Sequence, residues 1–169
     1  MVSNFSAAMP KPIYGITAYQ SAVGASSTAQ HVAGAVVIPA NTILAGDRFQ
    51  CNVIAAFTSS GNPDISCLFR ITDGTNTHTL IDLSETSAGV AAMFHASINL
   101  SCLTAGSSGK IDFAGFGLAA NASVSGQSSN QTLKTDVDVT LQLLIQFDAS
   151  NASNTVTVRE LSARRFTNS

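Results

Sequence analysis

The chain has 169 residues, of which 45% are hydrophobic and only 11% are charged, and its formal net charge is −2. This length suits one domain with a packed core. The eight basic residues are mostly dispersed, whereas nucleic-acid binding through phosphate neutralisation needs them clustered. No stretch approaches the roughly 20 apolar residues of a membrane-spanning helix. We therefore expect partners that are neither nucleic acid nor membrane, and a surface with few charges that either buries itself against proteins or is simply polar.

Residues 1–30 are predicted to form an extended N-terminal arm, followed by a β domain at residues 31–169. The prolines of the arm exclude a regular helix, and the residues before them prefer extended conformations. Phe5, Tyr14 and Tyr19 are large side chains that need a surface to lie on. The arm either binds a neighbouring molecule or folds back on its own domain.

The β domain begins with alternating apolar and polar residues, which is the period of a strand with one buried face. After a short strand at Ala35–Ile38, the stretch Arg48–Phe57 alternates regularly, and so does the next stretch up to Asp73-Gly74, a tight-hairpin signal. The inward residues are predicted to be Phe49, Cys51, Val53, Ala55, Phe57, Ile65, Cys67, Phe69 and Ile71. Cysteines in phase with apolar neighbours are expected to be small buried hydrophobic residues.

The middle of the domain continues the pattern. Strands are predicted at Thr77–Leu83, Ala91–Leu100 and Lys110–Leu118, whereas Asn121–Gln131 is so rich in small polar residues that it is predicted to be a loose loop. In the third of these strands, Ile111 and Phe113 are in phase and should face inward.

The clearest pattern lies at Val137–Val158. Every second residue is apolar from Val137 to Phe147, seven turn-prone residues follow, and alternation resumes at Thr155–Val158. We predict a long antiparallel hairpin here. Together the patterns predict an all-β fold, an antiparallel jelly-roll sandwich of about eight strands with an extended N-terminal arm.

No set of residues has the spacing of a catalytic or metal site. His31, His78 and His95 are far apart in sequence, and His95 is predicted to point to the outer face or into a subunit contact. Asp136 and Asp138 share the polar side of one strand, where a solvated edge explains them better than an acid–base pair or a calcium site. We therefore predict that the protein is not an enzyme and uses no metal or other cofactor.

Two segments resemble the ends of the β domain in small trimeric jelly-roll structural proteins of tailed bacteriophages. The first is I-P-A-N-T-I-L-A-G-D-R-F, from Ile38 to Phe49. The second is L-Q-L-L-I-Q-F-D-A-S-N-A-S-N-T-V-T-V, from Leu141 to Val158. In that family these segments form the first long strand with its lead-in turn and the last hairpin.

The resemblance implies a virion structural protein that forms homotrimers. Members of the family are capsid decoration or head-fibre proteins, or lie at tail tips. Tail-fibre members generally carry the domain after a long shaft, whereas here it follows a short arm. We therefore expect a cement protein that assembles in the host cytoplasm and binds the major capsid protein at the capsid surface, with the arm as tether. The alternative is a tail-fibre or baseplate protein that recognises a host-surface glycan.

Several apolar residues are predicted to lie on outer strand faces. Leu144 interrupts the polar row of its strand, Met93 alternates with Phe94, and Ile54 and Ala56 alternate with inward residues. Exposed apolar residues mark contact surfaces when they cluster. We predict that Met93 and Leu144 lie in contacts between subunits.

Overall fold

The computed structural model describes residues 11–16, 30–59, 64–87, 91–119, 122–149, 151 and 153–166, with only the backbone for residues 11–16, 84–87, 91 and 92. Every regular element in these ranges is a β-strand. Consequently, the described part of the chain contains no helix with the length and hydrophobicity needed to cross a bilayer. The all-β class predicted from the sequence is confirmed.

Ten strands follow one another along the chain. They are β1 (Lys11–Ile16), β2 (His31–Ile38), β3 (Arg48–Thr58), β4 (Asp64–Thr72), β5 (Thr77–Ser87), β6 (Ala91–Thr104), β7 (Lys110–Ala119), β8 (Ala122–Thr132), β9 (Val139–Phe147) and β10 (Thr155–Phe166).

The strands form two antiparallel sheets. The larger has the order β1-β10-β3-β6-β7-β8 and the smaller has the order β2-β9-β4-β5. If the β7–β8 hairpin is set aside, the remaining eight strands pair first with last and inward from there: β1 with β10, β2 with β9, β3 with β6 and β4 with β5. This nested pairing across two sheets is the connectivity of a jelly roll. The predicted fold is therefore confirmed, with β7 and β8 as an added hairpin that widens one sheet.

The core lies between the two sheets and is built by the alternation seen in the sequence. In β3 and β4 every predicted inward residue is buried, including Cys51 and Cys67. The rings of Phe57 and Phe147 meet across the sandwich edge to face, with centroids 6.4 Å apart and planes at 83°. Such aromatic pairs contribute about 0.5–1.5 kcal/mol beyond the area that they bury.

The predicted terminal hairpin is wrong in its pairing, although both of its strands exist. β9 lies in the smaller sheet between β2 and β4, whereas β10 lies in the larger sheet between β1 and β3. The connection between them therefore crosses from one sheet to the other. Local turn chemistry indicates where a strand ends, but it does not indicate whether the next strand joins the same sheet.

The prediction that Val137 faces inward is also wrong. Val137 precedes β9, which begins at Val139, and its side chain is 38% exposed.

The predicted loop at Asn121–Gln131 is also wrong, because most of it forms β8. β8 pairs with β7 along most of its length, from Ala122 opposite Ala119 to Thr132 opposite Lys110. It is an edge strand that contributes little to the core, so its sequence lacks the apolar alternation on which the prediction depended. Hydrogen bonding to β7 makes it a strand despite that composition.

The predicted arm at residues 1–30 is described only in part. Its segment Lys11–Ile16 is extended, as expected, and forms β1 at the edge of the larger sheet. Tyr14 there pairs through its backbone with Ala163 of β10. This segment of the arm thus folds back on its own domain, while Phe5 and Tyr19 lie outside the described residues.

One end of the sandwich is tied together by hydrogen bonds between its connections. The backbone N–H of Asn41 donates to the carbonyl of Thr135 at 2.8 Å, and the N–H of Gly106 donates to Thr135 Oγ1 at 2.7 Å. At the same end Arg165 forms an ion pair with the buried Asp47, with 2.6 Å between Nη2 and Oδ2. These bonds fix the β2–β3, β6–β7 and β8–β9 connections to one another.

Candidate interaction surface

The outer face of the larger sheet carries a cluster of apolar side chains. The strand registers place Ala56 of β3 opposite Met93 of β6, and they place Ile54, His95 and Leu118 in one row across β3, β6 and β7. Phe116 lies in the next row, opposite Ser97. We call Ile54, Ala56, Met93, Phe116 and Leu118 the apolar patch.

Three members of the apolar patch are largely open to solvent. Met93 and Phe116 are each 48% exposed and Leu118 is 45% exposed. Large apolar side chains scattered singly over a surface are ordinary, whereas a contiguous group on one sheet face marks a contact surface. The apolar patch therefore favours binding to another macromolecule.

His95 lies within the apolar patch and contacts one of its members. Its ring meets that of Phe116 edge to face, with centroids 6.0 Å apart and planes at 83°. His95 therefore lies on the outer face, one of the two positions predicted for it, and is half-buried there. In the neighbouring row the Ser97 hydroxyl donates to Asn52 Oδ1 at 2.9 Å, so these two polar atoms beside Phe116 are paired with each other.

Charges are sparse around the apolar patch. The nearest carboxylate in its rows is Glu160 of β10, which lies opposite Ile54 and accepts a hydrogen bond from the Ser162 hydroxyl at 2.8 Å. On the other side the rows end at Ser123 and Ser125 of β8. A surface with this composition is covered by a protein partner without removing many charges from water, which would be costly.

β8 borders the apolar patch and forms the edge of the larger sheet. Its sequence, A-S-V-S-G-Q-S-S-N-Q-T, contains no charged residue and no proline. Among the strands that the structure describes, only β7 pairs with it in the sheet. Natural proteins usually protect exposed edges with charges, prolines or covering segments, because an edge strand pairs readily with other chains.

A polar groove of about 640 Å³ opens over a bulge near the end of β8. The bulge lies where Ile111 pairs with Gln131 but Phe113 pairs with Ser128. Asn130 adopts a φ of 54° there, and its N–H donates to Asp112 Oδ1 at 2.7 Å. The residues that line the groove are Asp112, Phe113, Ala114, Gln127, Ser128, Ser129 and Gln131. Its amides, hydroxyls and single carboxylate suit a neutral ligand that forms hydrogen bonds.

The residues predicted to form subunit contacts lie on different sheets. Met93 is in the apolar patch, together with Ile54 and Ala56. Leu144 lies on β9 of the smaller sheet, between Val32 and Leu68, and is only 4% exposed in the single chain. The structure therefore does not bring Met93 and Leu144 together, and their role in subunit contacts stays a prediction.

Phe116 and Leu118 were missed by the sequence analysis, although a signal for them exists. Ile111 and Phe113 are both buried, as predicted. If their phase is continued along β7, Gly115 and Gly117 face inward and Phe116 and Leu118 face outward. Glycine at the inward positions hid this continuation, because it gives no apolar signal.

The groups most often used in chemistry are placed in structural roles. All three cysteines are buried as free thiols, and burial raises the pKa of Cys51 to about 12. His78 Nε2 lies 2.6 Å from the carbonyl oxygen of Thr132, which joins β5 to the end of β8. Within the described ranges, no three His, Cys, Asp or Glu side chains come close enough to bind a metal ion.

Comparison with known proteins does not assign the chain to a family. No family of proteins and no curated protein matches the chain. One similar solved structure is that of the infectious bursal disease virus Gx strain, with 15% sequence identity and a TM-score of 0.36. The similarity covers 92% of this chain and 42% of that chain, so this chain spans less than half of its length. A likeness this distant does not assign a function.

Proposed function

We propose that the chain is a virion structural protein, a homotrimeric decoration or cement protein on the head of a tailed bacteriophage. The observation that carries the proposal is the apolar patch on the sparsely charged outer face of a jelly roll. The resemblance of Ile38–Phe49 and Leu141–Val158 to phage jelly-roll proteins supports it. In this proposal the protein assembles in the host cytoplasm and stabilises the head by burying surface against the major capsid protein.

The energetics of the apolar patch favour such a contact. Complete burial of a Leu, Met or Phe side chain contributes about 1.5–3 kcal/mol. Met93, Phe116 and Leu118 are each about half exposed, so covering each one contributes roughly 1 kcal/mol on the same scale. An array of copies on a lattice multiplies this contribution.

The test compares two matched substitutions, Phe116→Asp and Val37→Asp. Val37 is 50% exposed on β2 of the smaller sheet, so both changes introduce a carboxylate at a half-exposed apolar strand residue. The mass in solution is measured by light scattering, and head occupancy is measured by adding each protein to phage heads that lack it. We expect Phe116→Asp to lower the solution mass from that of a trimer to that of a monomer, or to reduce head occupancy at least tenfold, and Val37→Asp to change neither. Full trimer mass and full occupancy with Phe116→Asp would show that the apolar patch is not the contact.

A second function, glycan recognition at the tail, is favoured by the polar groove. Gln127 and Gln131 provide amides. Asp112 provides a carboxylate whose Oδ1 accepts from the N–H of Asn130, and its Oδ2 is the oxygen proposed to bind a ligand. Such groups bind the hydroxyls of a neutral sugar. Immunogold labelling of virions separates the two functions, because a decoration protein is labelled on the head and a receptor-binding protein is labelled at the tail.

A further inference from the structure

We propose that residues 2–9 of one copy add as a strand to the free edge of β8 in another copy. This inference rests on the proposed homotrimer and names the contact that builds it. It follows from three features: an unprotected edge, a segment with strand periodicity, and the distance between the two in a single chain.

The acceptor is the free edge of β8. The other edge strands are less suited to pairing, because β1 contains Lys11 and Pro12, β5 contains Asp82 and Glu85, and a bulge interrupts β2. β8 pairs with β7 without interruption from Ala122 to Ser128. A regular edge leaves every second residue with a free N–H and C=O, which is the requirement for strand addition.

The outer face beside that edge has room for large side chains. Ser123 and Ser125 of β8 are exposed and lie opposite Leu118 and Phe116 of β7. Side chains of an added strand therefore extend over two small serines toward the apolar patch. Pairing along the edge would supply backbone hydrogen bonds, and the apolar patch would supply a contact for the added side chains.

The donor segment has the periodicity of a strand. In V-S-N-F-S-A-A-M the residues Phe5, Ala7 and Met9 alternate with Asn4, Ser6 and Ala8. Alternation of this kind indicates an extended segment with one apolar face. The segment contains no charge, so it meets no repulsion at an uncharged edge. Phe5 was predicted to need a surface to lie on, and this pairing supplies one on a neighbouring copy.

Geometry requires that the donor and the acceptor belong to different copies. β1 and β8 lie at opposite edges of the larger sheet, separated by five strand-to-strand steps. At about 4.8 Å per step, the edges are roughly 24 Å apart. Only Pro10 separates the donor from Lys11 at the start of β1, and two steps along an extended chain span at most about 7 Å. The segment therefore cannot leave β1 and pair with its own β8.

Donation from one edge to the opposite edge of the next copy is a head-to-tail contact. Head-to-tail contacts either close into rings or continue as filaments, and closure after three copies gives the proposed homotrimer. Each copy then donates one strand and accepts one, so no β8 edge remains open.

Disulfide trapping tests the pairing directly. One chain carries Ala7→Cys and a second, differently tagged chain carries Ser123→Cys, Ser125→Cys or Gln127→Cys in turn, and the two are co-expressed and oxidised. The control pairs Ala7→Cys with Val37→Cys on the other sheet. The native cysteines are buried, so they do not compete. We expect a disulfide between the two chains for at least one β8 residue, at five times the control yield or more. Control-level yields for all three would overturn the inference.

Deletion of residues 2–9 separates this inference from the proposed function. We expect the shortened protein to keep its β-sheet circular dichroism and to be monomeric, with about one third of the mass in solution of the full-length trimer. A shortened protein that stays trimeric would refute strand donation and leave the decoration function standing. A full-length protein that is monomeric and does not bind heads would refute the proposed function itself. A disulfide from Ser125→Cys to a capsid protein, with none to Ala7→Cys, would show that the edge accepts a different strand.

Discussion

Replacement of Asp73 by asparagine should destabilise the protein in a pH-dependent way. Asp73 occupies the turn between β4 and β5 and is only 7% exposed. Its Oδ1 accepts from the N–H groups of Thr75 and Asn76 at 2.8 and 2.6 Å. Its Oδ2 accepts from Asn76 Nδ2 and from the N–H of Lys134, both at 2.7 Å. One carboxylate thus closes the hairpin turn and ties it to the β8–β9 connection.

The four hydrogen bonds determine the pKa of this carboxyl. Burial raises its pKa, but the bonds from Asn76, Lys134 and Thr75 outweigh burial and lower the pKa from 3.8 to about 2. Each pKa unit corresponds to about 1.4 kcal/mol, so this lowering contributes about 2 kcal/mol at most, and roughly 1 kcal/mol after solvent screening. Because the folded pKa is the lower one, this stability is fully present above pH 5 and is lost as the pH falls from about 4 through 2.

In Asp73→Asn, Oδ1 still accepts from the N–H groups of Thr75 and Asn76. An NH₂ group replaces Oδ2, however, and it cannot accept the hydrogen bonds that Asn76 Nδ2 and the N–H of Lys134 donate there. Leaving such donors unpaired costs about 1–3 kcal/mol in total free energy of unfolding at pH 7. The control is Asp136→Asn, which removes an exposed carboxylate of the β8–β9 connection. Urea denaturation at pH 7 and pH 2.5 measures both variants. Equal midpoints for Asp73→Asn and the wild type at pH 7, or a deficit that does not shrink at pH 2.5, would refute the reasoning.

Two further predictions concern packing. Gly126→Ala should lower the free energy of unfolding by about 1–3 kcal/mol, because the added Cβ would lie much closer than 3.0 Å to the Leu80 carbonyl oxygen. Urea denaturation should show no comparable loss for the neighbouring Ser125→Ala. An unchanged stability of Gly126→Ala would mean that β8 does not pack on β5. Burial raises the pKa of each cysteine thiol. Ellman's reagent at pH 8 should therefore label none of the three cysteines in the folded protein and all of them in urea. Rapid labelling without urea would contradict their burial.

The inner faces of the strands could be predicted from sequence, because burial on one face imposes a period of two residues. Phe49, Cys51, Phe69 and Leu141 were placed correctly on that ground alone. The pairing of strands could not be predicted, because it is set by contacts between distant segments. Thus β9 and β10 were each recognised, yet they belong to different sheets.

The candidate surface was only partly predictable for a related reason. Met93 could be placed outside because Phe94 beside it is plainly an inward residue. Phe116 and Leu118 follow Gly115 and Gly117, whose inward positions leave no apolar signal, and β8 carries almost no hydrophobic pattern because it lies at an edge. The candidate surface therefore includes glycines and small uncharged side chains, and residues of these kinds carry little of the hydrophobic pattern on which sequence prediction depends.

Locating the chain on intact virions, by cryo-electron microscopy of particles from the virus that encodes it, tests the central claim most directly. The proposed function predicts trimeric jelly-roll density at regular positions on the outer surface of the head, with the larger sheets of the three copies in contact. Density confined to the tail, or virions that lack the chain altogether, would contradict it.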